Sequence, residues 1–280
     1  MRGLLLDGYR SPQNDADRLT ALYGGVLILS GLQVFSHLRL LFYNRRLLEG
    51  AGDAVQRHVV ARQIDGLIAF ANTVGLLRLL VALAVLVLIA FWQRRLYLNL
   101  RALDRSGLRF SASWALIGLI PPLMLVLPPL LAAETWRASH PAASLPEGWR
   151  QTPVPLRVSV WGAALLGLVL YFASLIYLPM PVLEDGPLAF QSRLALLEDG
   201  LFALWAVAGS LLARPVAARQ NIAYASLFPE IEAEMVQLIS DRSGESPRRV
   251  RDLRAQGMTW RQVARWCGLD EDFERSGNGR

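Results

Sequence analysis

Long apolar runs alternate with short arginine-bearing stretches over the first three-quarters of the chain. Four runs, at 19–43, 66–92, 111–133 and 157–180, are apolar enough to lie in lipid, and a shorter fifth covers 194–213. About 20 residues of helix span the hydrocarbon of a bilayer, so the pattern predicts membrane helices rather than the core helices of a soluble domain. The clearest run has "LLVALAVLVLIAF" at its centre. Trp92, Tyr97, Trp114, Trp136, Trp161 and Tyr177 fall near the ends of runs, where amphipathic rings favour the lipid–water interface. The opening "MRGLLLDGYRSPQNDADRLT" mixes acids, bases and turn formers ahead of the first run. A cleaved signal has its apolar core nearer the start, so the first run is expected to be retained.

The run 111–133 differs from the others. It contains Pro121, Pro122 and Pro128, with Pro129 adjacent. Each proline removes a backbone donor and clashes with the preceding turn. The segment is therefore either a kinked crossing or two short half-helices that fold back, and the unpaired backbone must be buried in protein or face a cavity.

Arginine positions test the topology. If all five segments cross with the tail inside, 19 arginines lie inside and 9 outside. If 111–133 dips in and returns, both termini are inside and the count becomes 22 against 6. The preferred model has four crossings plus one broken element. Beyond residue 213 the chain becomes charged. The expected organisation is a polar N-terminal segment 1–18, a transmembrane domain 19–213, a linker 214–228, a three-helix unit 229–275 with helix-turn-helix rhythm, and a disordered end 276–280. Ser246 and Thr259 are expected to cap helices that stop at Gly257 and Gly268. The fold class is thus all-α: a polytopic helical membrane bundle with a small soluble helical C-terminal unit.

Composition agrees with this division. The 280 residues are 53% hydrophobic and 19% charged, with a mean hydropathy of +0.32. All 29 basic side chains are arginine and the net charge is +6. The single Cys267 excludes a disulfide framework. His37, His58 and His140 form no metal spacing, and no hydrolase, nucleotide or dinucleotide motif occurs. A non-enzyme without metal or cofactor is expected. Arg78 stands out, because a charge inside a membrane helix is costly and marks function by default. Its candidate partners are Glu198 and Asp199. In "ETWRASH", Glu134 and Arg137 are spaced to pair on one helix side.

The stretch 92–149 resembles the bacterial membrane-protein family called domain of unknown function number 4328. The resemblance rests on Trp92, Arg95, Asn99, Leu100 and Arg101, then Leu108 to Ser111, Trp114, Pro121, Pro128, Trp136 to Ser139 and Pro141. Weaker similarity extends it to about residues 15–220. It implies a membrane protein and no reaction. With Arg78, these features give a polar or ligand site drawn from Arg78, Asn99, Arg101, Pro121, Pro128, Glu134 and Arg137.

Three functions stay open at this level. One is a non-catalytic scaffold or assembly factor of the bacterial inner membrane, with a cytoplasmic C-terminal unit, that binds partner proteins or itself. The second is a small transporter or channel component using the proline-broken segment. The third is a membrane-tethered regulator whose tail contacts nucleic acid through Arg248, Arg261 and Arg265. Residues 246–265 hold six arginines and one aspartate, but 230–280 as a whole holds nine arginines and ten acids. That mixture weakens the third reading.

Overall fold

The computed structural model describes residues 9–48, 54–103, 105, 107–118, 120, 123, 126–140, 148–177, 187–256 and 258–269. Every regular element among them is helical: α1 Gln13–Leu48, α2 Ala54–Ala102, α3 Trp114–Ile117, α4 Leu127–Ala138, a 3-10 turn Gly148–Gln151, α5 Leu156–Tyr177, α6 Pro187–Ser243, α7 Pro247–Ala255 and α8 Trp260–Trp266. Four helical segments are long and apolar enough to cross a membrane: Gln13–Arg46, Val55–Ala102, Leu156–Ala173 and Gln191–Ser226. They belong to α1, α2, α5 and α6.

α1 packs against both α2 and α6, and α5 packs against α6 and reaches α1 through Trp161. Neighbours run antiparallel. Asp15 of α1 meets Arg95 of α2 at 2.8 Å, while Gln33 reaches the Ala71 carbonyl further along both helices. Tyr23, Val26, Val85, Ile89, Trp161, Leu165, Phe202 and Trp205 build the shared core. On the outside the same helices expose Ile28 and Phe35, Leu80 and Leu83, Leu170, and Leu204 and Leu211. A bundle apolar both inside and out is suited to lipid as its solvent, since lipid leaves no hydrophobic incentive to hide these side chains.

The described residues of the proline-rich run include two short helices, α3 and α4. Pro128 and Pro129 occupy the first turn of α4, where a missing donor breaks no helical bond. Both helices pack near the C-terminal end of α2. Arg105 closes the other end of α4 by donating to the Ala138 and His140 carbonyls at 3.1 and 3.0 Å.

The expected linker 214–228 is instead helical, as part of the 57-residue α6. Pro229, where the three-helix unit was expected to start, also lies inside it. The physical reason is clearest at Pro215. Its missing N–H leaves the carbonyl four residues earlier, Leu211, without a helical donor. Arg157 Nη1 of α5 donates to that oxygen at 3.3 Å, so the freed carbonyl has a partner within the helix that runs on. Beyond Ser243 the chain turns at Gly244, whose φ of 73° suits glycine. Ser246 caps α7, and Thr259 with Gln262 forms a capping box on α8. Gly268 ends α8 at φ 78°, whereas Gly257 and the expected disordered end lie outside the described residues. Met235, Ile239, Val250, Trp260 and Val263 form a separate small core, with Cys267 packed beside it. That core also takes in Leu103 and Ala223, which dock the tail unit on the end of the bundle.

Candidate functional site

Arg78 is 4% exposed and sits among all four spanning helices. Its guanidinium donates to Asp199 through Nη1 and to Glu198 through Nη2. Both partners named from the sequence are therefore engaged. The Asp199 side chain is fully buried, and its second oxygen lies 2.9 Å from His37 Nδ1 of α1. Tyr171 of α5 hydrogen-bonds Glu198. The Phe202 ring lies 4.3 Å from the Arg78 guanidinium carbon, which adds a cation–π contact. α1, α2, α5 and α6 thus each contribute a group.

This arrangement has an opening of mixed polarity beside it. A cavity of about 310 Å³ is lined by Gln33, His37, Asn72, Arg78, Glu198 and Phe202, among others. Gly75 makes room for it. A Cβ there would lie 2.7 Å from Gln33 Nε2, displacing the amide that donates to the Ala71 carbonyl at 2.7 Å. A second cavity of about 180 Å³ shares His37, Ala71, Asn72 and Ala195 and extends toward Ser192. Arg78 carries one positive charge against the two carboxylates. The two carboxylates thus share one guanidinium and one imidazole. Among the described residues, no three His, Cys, Asp or Glu side chains are grouped to hold a metal ion.

The depth of the cluster follows from helix geometry. Arg95, paired with Asp15, and Arg214, paired with Asp17 at 2.8 Å, mark one end of the bundle. Arg78 lies about 25 Å along α2 from Arg95 at 1.5 Å per residue. The hydrocarbon core is about 30 Å thick. Measured from the Arg95 end, the cluster falls within that thickness and toward the opposite face.

The other residues singled out by sequence lie at the Arg95 end. Asn99 is buried, accepts from the Arg10 amide at 3.1 Å, and donates to the Arg10 carbonyl and Gln220 at 2.9 and 3.0 Å. It ties the N-terminal segment to α2 and α6. Arg101 is exposed. The Pro128 carbonyl accepts from Gln93 at 3.0 Å. Pro121 lies outside the described residues. The expected Glu134–Arg137 pairing is replaced by longer-range bonds. Buried Glu134 accepts from Tyr97 at 2.6 Å and from the Arg109 amide at 2.7 Å, while Arg137 donates to the Thr152 carbonyl at 3.2 Å. A local i, i+3 pair at best contributes a few tenths of a kcal/mol, whereas a buried carboxylate needs its acceptor sites filled. The tail arginines Arg248, Arg261 and Arg265 are exposed on α7 and α8.

The predicted site therefore divides. Arg78 has its own cavity. Asn99, Pro128 and Glu134 brace the other end, and Gln93, which touches Pro128, is about 22 Å of helix from Arg78. His37, Gln33 and Tyr171 were not among the expected site residues. A histidine in an apolar run was the available signal for His37, but its contact with Asp199 spans 162 positions.

Four spanning helices enclosing a charged cluster define a multi-pass membrane protein. The chain belongs to the family described as domain of unknown function (DUF4328), whose family model matches residues 56–218, more than half its length. No curated protein and no solved structure matches the chain. The family assigns no activity, so function must be argued from the site.

Proposed function

We propose that the protein is a non-catalytic transport component of the bacterial inner membrane that binds a small cationic solute at the Arg78 cavity. The observation carrying this reading is the buried Arg78–Glu198–Asp199–His37 cluster, with two carboxylates to one guanidinium, beside a 310 Å³ cavity that Gln33, Asn72 and Glu198 help to line. A purely structural ion pair needs no adjoining polar space, and intramembrane charges that line cavities mark solute or ion paths. Glu198 lines the cavity while Asp199 is sealed behind it, so Glu198 is the carboxylate that meets a cation. The transport role moves from the proline-broken segment to this cluster. With both termini cytoplasmic, the arginine-rich tail and the 94–109 loop share the inner side, in keeping with the positive-inside bias.

The test uses the full chain in lipid nanodiscs, titrated with ammonium and methylammonium chloride and with sodium chloride at matched ionic strength. The amine salts should raise the thermal midpoint of the wild type beyond the sodium effect. Glu198→Gln should remove the difference. Equal responses of wild type and variant would end the transport reading.

A second reading, the scaffold or assembly factor, is favoured by one observation. Trp266 is 65% exposed next to the exposed Arg265 on the tail unit. Tryptophan and arginine together are the side chains that most often anchor protein partners. Affinity capture from membranes should then yield one stoichiometric partner that is lost with Trp266→Ala.

A further inference from the structure

A second group of cations lies at the opposite end of the bundle and plays no part in the Arg78 site. Arg157 opens α5 and Arg219 lies one turn past Pro215 on α6. Their guanidinium carbons stand 4.5 and 4.2 Å from the ring of Trp136, the buried tryptophan of α4. They are close enough to repel each other. Arg157 spends Nη1 on the Leu211 carbonyl. The Nε of each arginine is buried without a hydrogen-bond partner. Among the described residues no carboxylate pairs with either, whereas nearby Asp17 and Asp15 are taken by Arg214 and Arg95. One indole does not balance two half-buried like charges, since a cation–π contact contributes only about 0.5–2 kcal/mol. An anion does, and the planar donor fork of arginine matches phosphate oxygens.

An apolar groove lies on the two helices that carry Trp136 and Arg157. It occupies about 370 Å³ between α4 and α5 and is lined by Val126, Pro129, Ala133, Val158, Gly162 and Leu166, among others. Ala133 is one helical turn from Trp136, and Val158 adjoins Arg157. Gly162 permits the close approach: a Cβ there would lie 2.9 Å from Pro129 Cβ. Exposed Leu130 and Leu166 flank the groove. It therefore meets lipid on its open side, with its charged end at the bundle terminus marked by Arg214 and Arg95.

We propose that Arg157, Arg219 and Trp136 bind the phosphodiester of an anionic phospholipid whose acyl chain lies in the α4–α5 groove. The charges select the headgroup and the groove selects a lipid over a free anion. Basic recesses between membrane helices are known to recognise lipid headgroups in this way. The lipid would also cover the face of the broken element, so that α4 is held against α5 by its occupant as well as by Pro129.

The test titrates the full chain in neutral detergent with phosphatidylglycerol, phosphatidylcholine or inorganic phosphate, reading the thermal midpoint. Phosphatidylglycerol should raise it saturably, with phosphatidylcholine and inorganic phosphate having little effect. Arg219→Gln is the cleaner charge variant because Arg157 also serves Leu211. It should weaken the apparent affinity for phosphatidylglycerol about fivefold, the equivalent of about 1 kcal/mol for one arginine at a membrane surface. Ala163→Phe, which fills the exposed side of the groove, should remove the lipid effect while leaving both arginines in place. The proposal is overturned by no rise with phosphatidylglycerol, or by an unchanged response in Arg219→Gln. It is equally overturned if inorganic phosphate reproduces the rise and Ala163→Phe leaves it intact, because the arginine pair then holds a free anion.

Discussion

Replacing Arg78 with leucine should cost about 3–5 kcal/mol of stability and sharply reduce the folded fraction recovered from membranes. The two acids that it bridges sit side by side on α6, and Asp199 is fully buried. Without the guanidinium, they face each other and His37, with Asp199 sealed from water and Glu198 reached only through the cavity. The size of the loss comes from the orphaned carboxylates more than from the value of the pair itself. Removing all partners together is correspondingly milder. The triple variant Arg78→Leu/Glu198→Gln/Asp199→Leu should recover at least half of the lost stability, measured as the thermal midpoint in nanodiscs. If Arg78→Leu melts like the wild type, the cluster is not holding the helices together. A folded triple variant that no longer responds to ammonium would separate the two roles, assigning the charges to binding rather than to assembly.

The class of fold was legible because it depends on runs rather than pairings. A 20-residue apolar stretch must cross or be buried whatever its neighbours are, and four of the five runs form helices long and apolar enough to span. The broken character of 111–133 was legible for the same reason, since a proline's missing donor is a local fact. Legibility ended where one distant side chain reversed a local rule. Pro215 reads as a helix boundary, but α6 runs through it, and Arg157, 58 positions away, fills the carbonyl that the proline leaves free. Glu134 and Arg137 have ideal local spacing, yet Tyr97 and the Arg109 amide win the carboxylate.

The candidate site shows the same division. Arg78 could be singled out because a charge in an apolar run is conspicuous, and Glu198 and Asp199 in the last run stood out as its candidate partners. The cavity itself has no sequence signature. It arises where Gly75 lets Gln33 approach Ala71 and where Phe202 stacks on the arginine. Asn99 was conspicuous through the family resemblance, but its amide is consumed by Arg10 and Gln220. Its role is to clamp the chain's beginning, some 30 Å of helix from Arg78.

Gly209→Ala should destabilise the bundle by about 1–3 kcal/mol, although helix propensity alone predicts a gain of about 1 kcal/mol from the same change. Sterics decide the sign. A Cβ at residue 209 would lie 2.2 Å from Tyr23 Cζ and 2.5 Å from its hydroxyl oxygen. The ring has nowhere to go. It is buried, its hydroxyl accepts from Trp161 Nε1 at 3.0 Å, and its face meets Trp205 edge-on at 5.2 Å. Small residues let membrane helices approach this closely, and α1 uses the gap to seat an aromatic ring against α6. Gly31 supplies the control within the same fold, since nothing lies within 4 Å of its would-be Cβ. Gly31→Ala should be neutral or stabilising, and equal midpoints for the two alanine variants would refute the steric account. Shortening the opposing ring should relieve the clash. In a double-mutant cycle, Gly209→Ala should cost markedly less in a Tyr23→Val background than alone, with a coupling of about 1 kcal/mol or more. An additive cycle would mean that Tyr23 does not press on Gly209 in the membrane, and that the α1–α6 contact is held elsewhere.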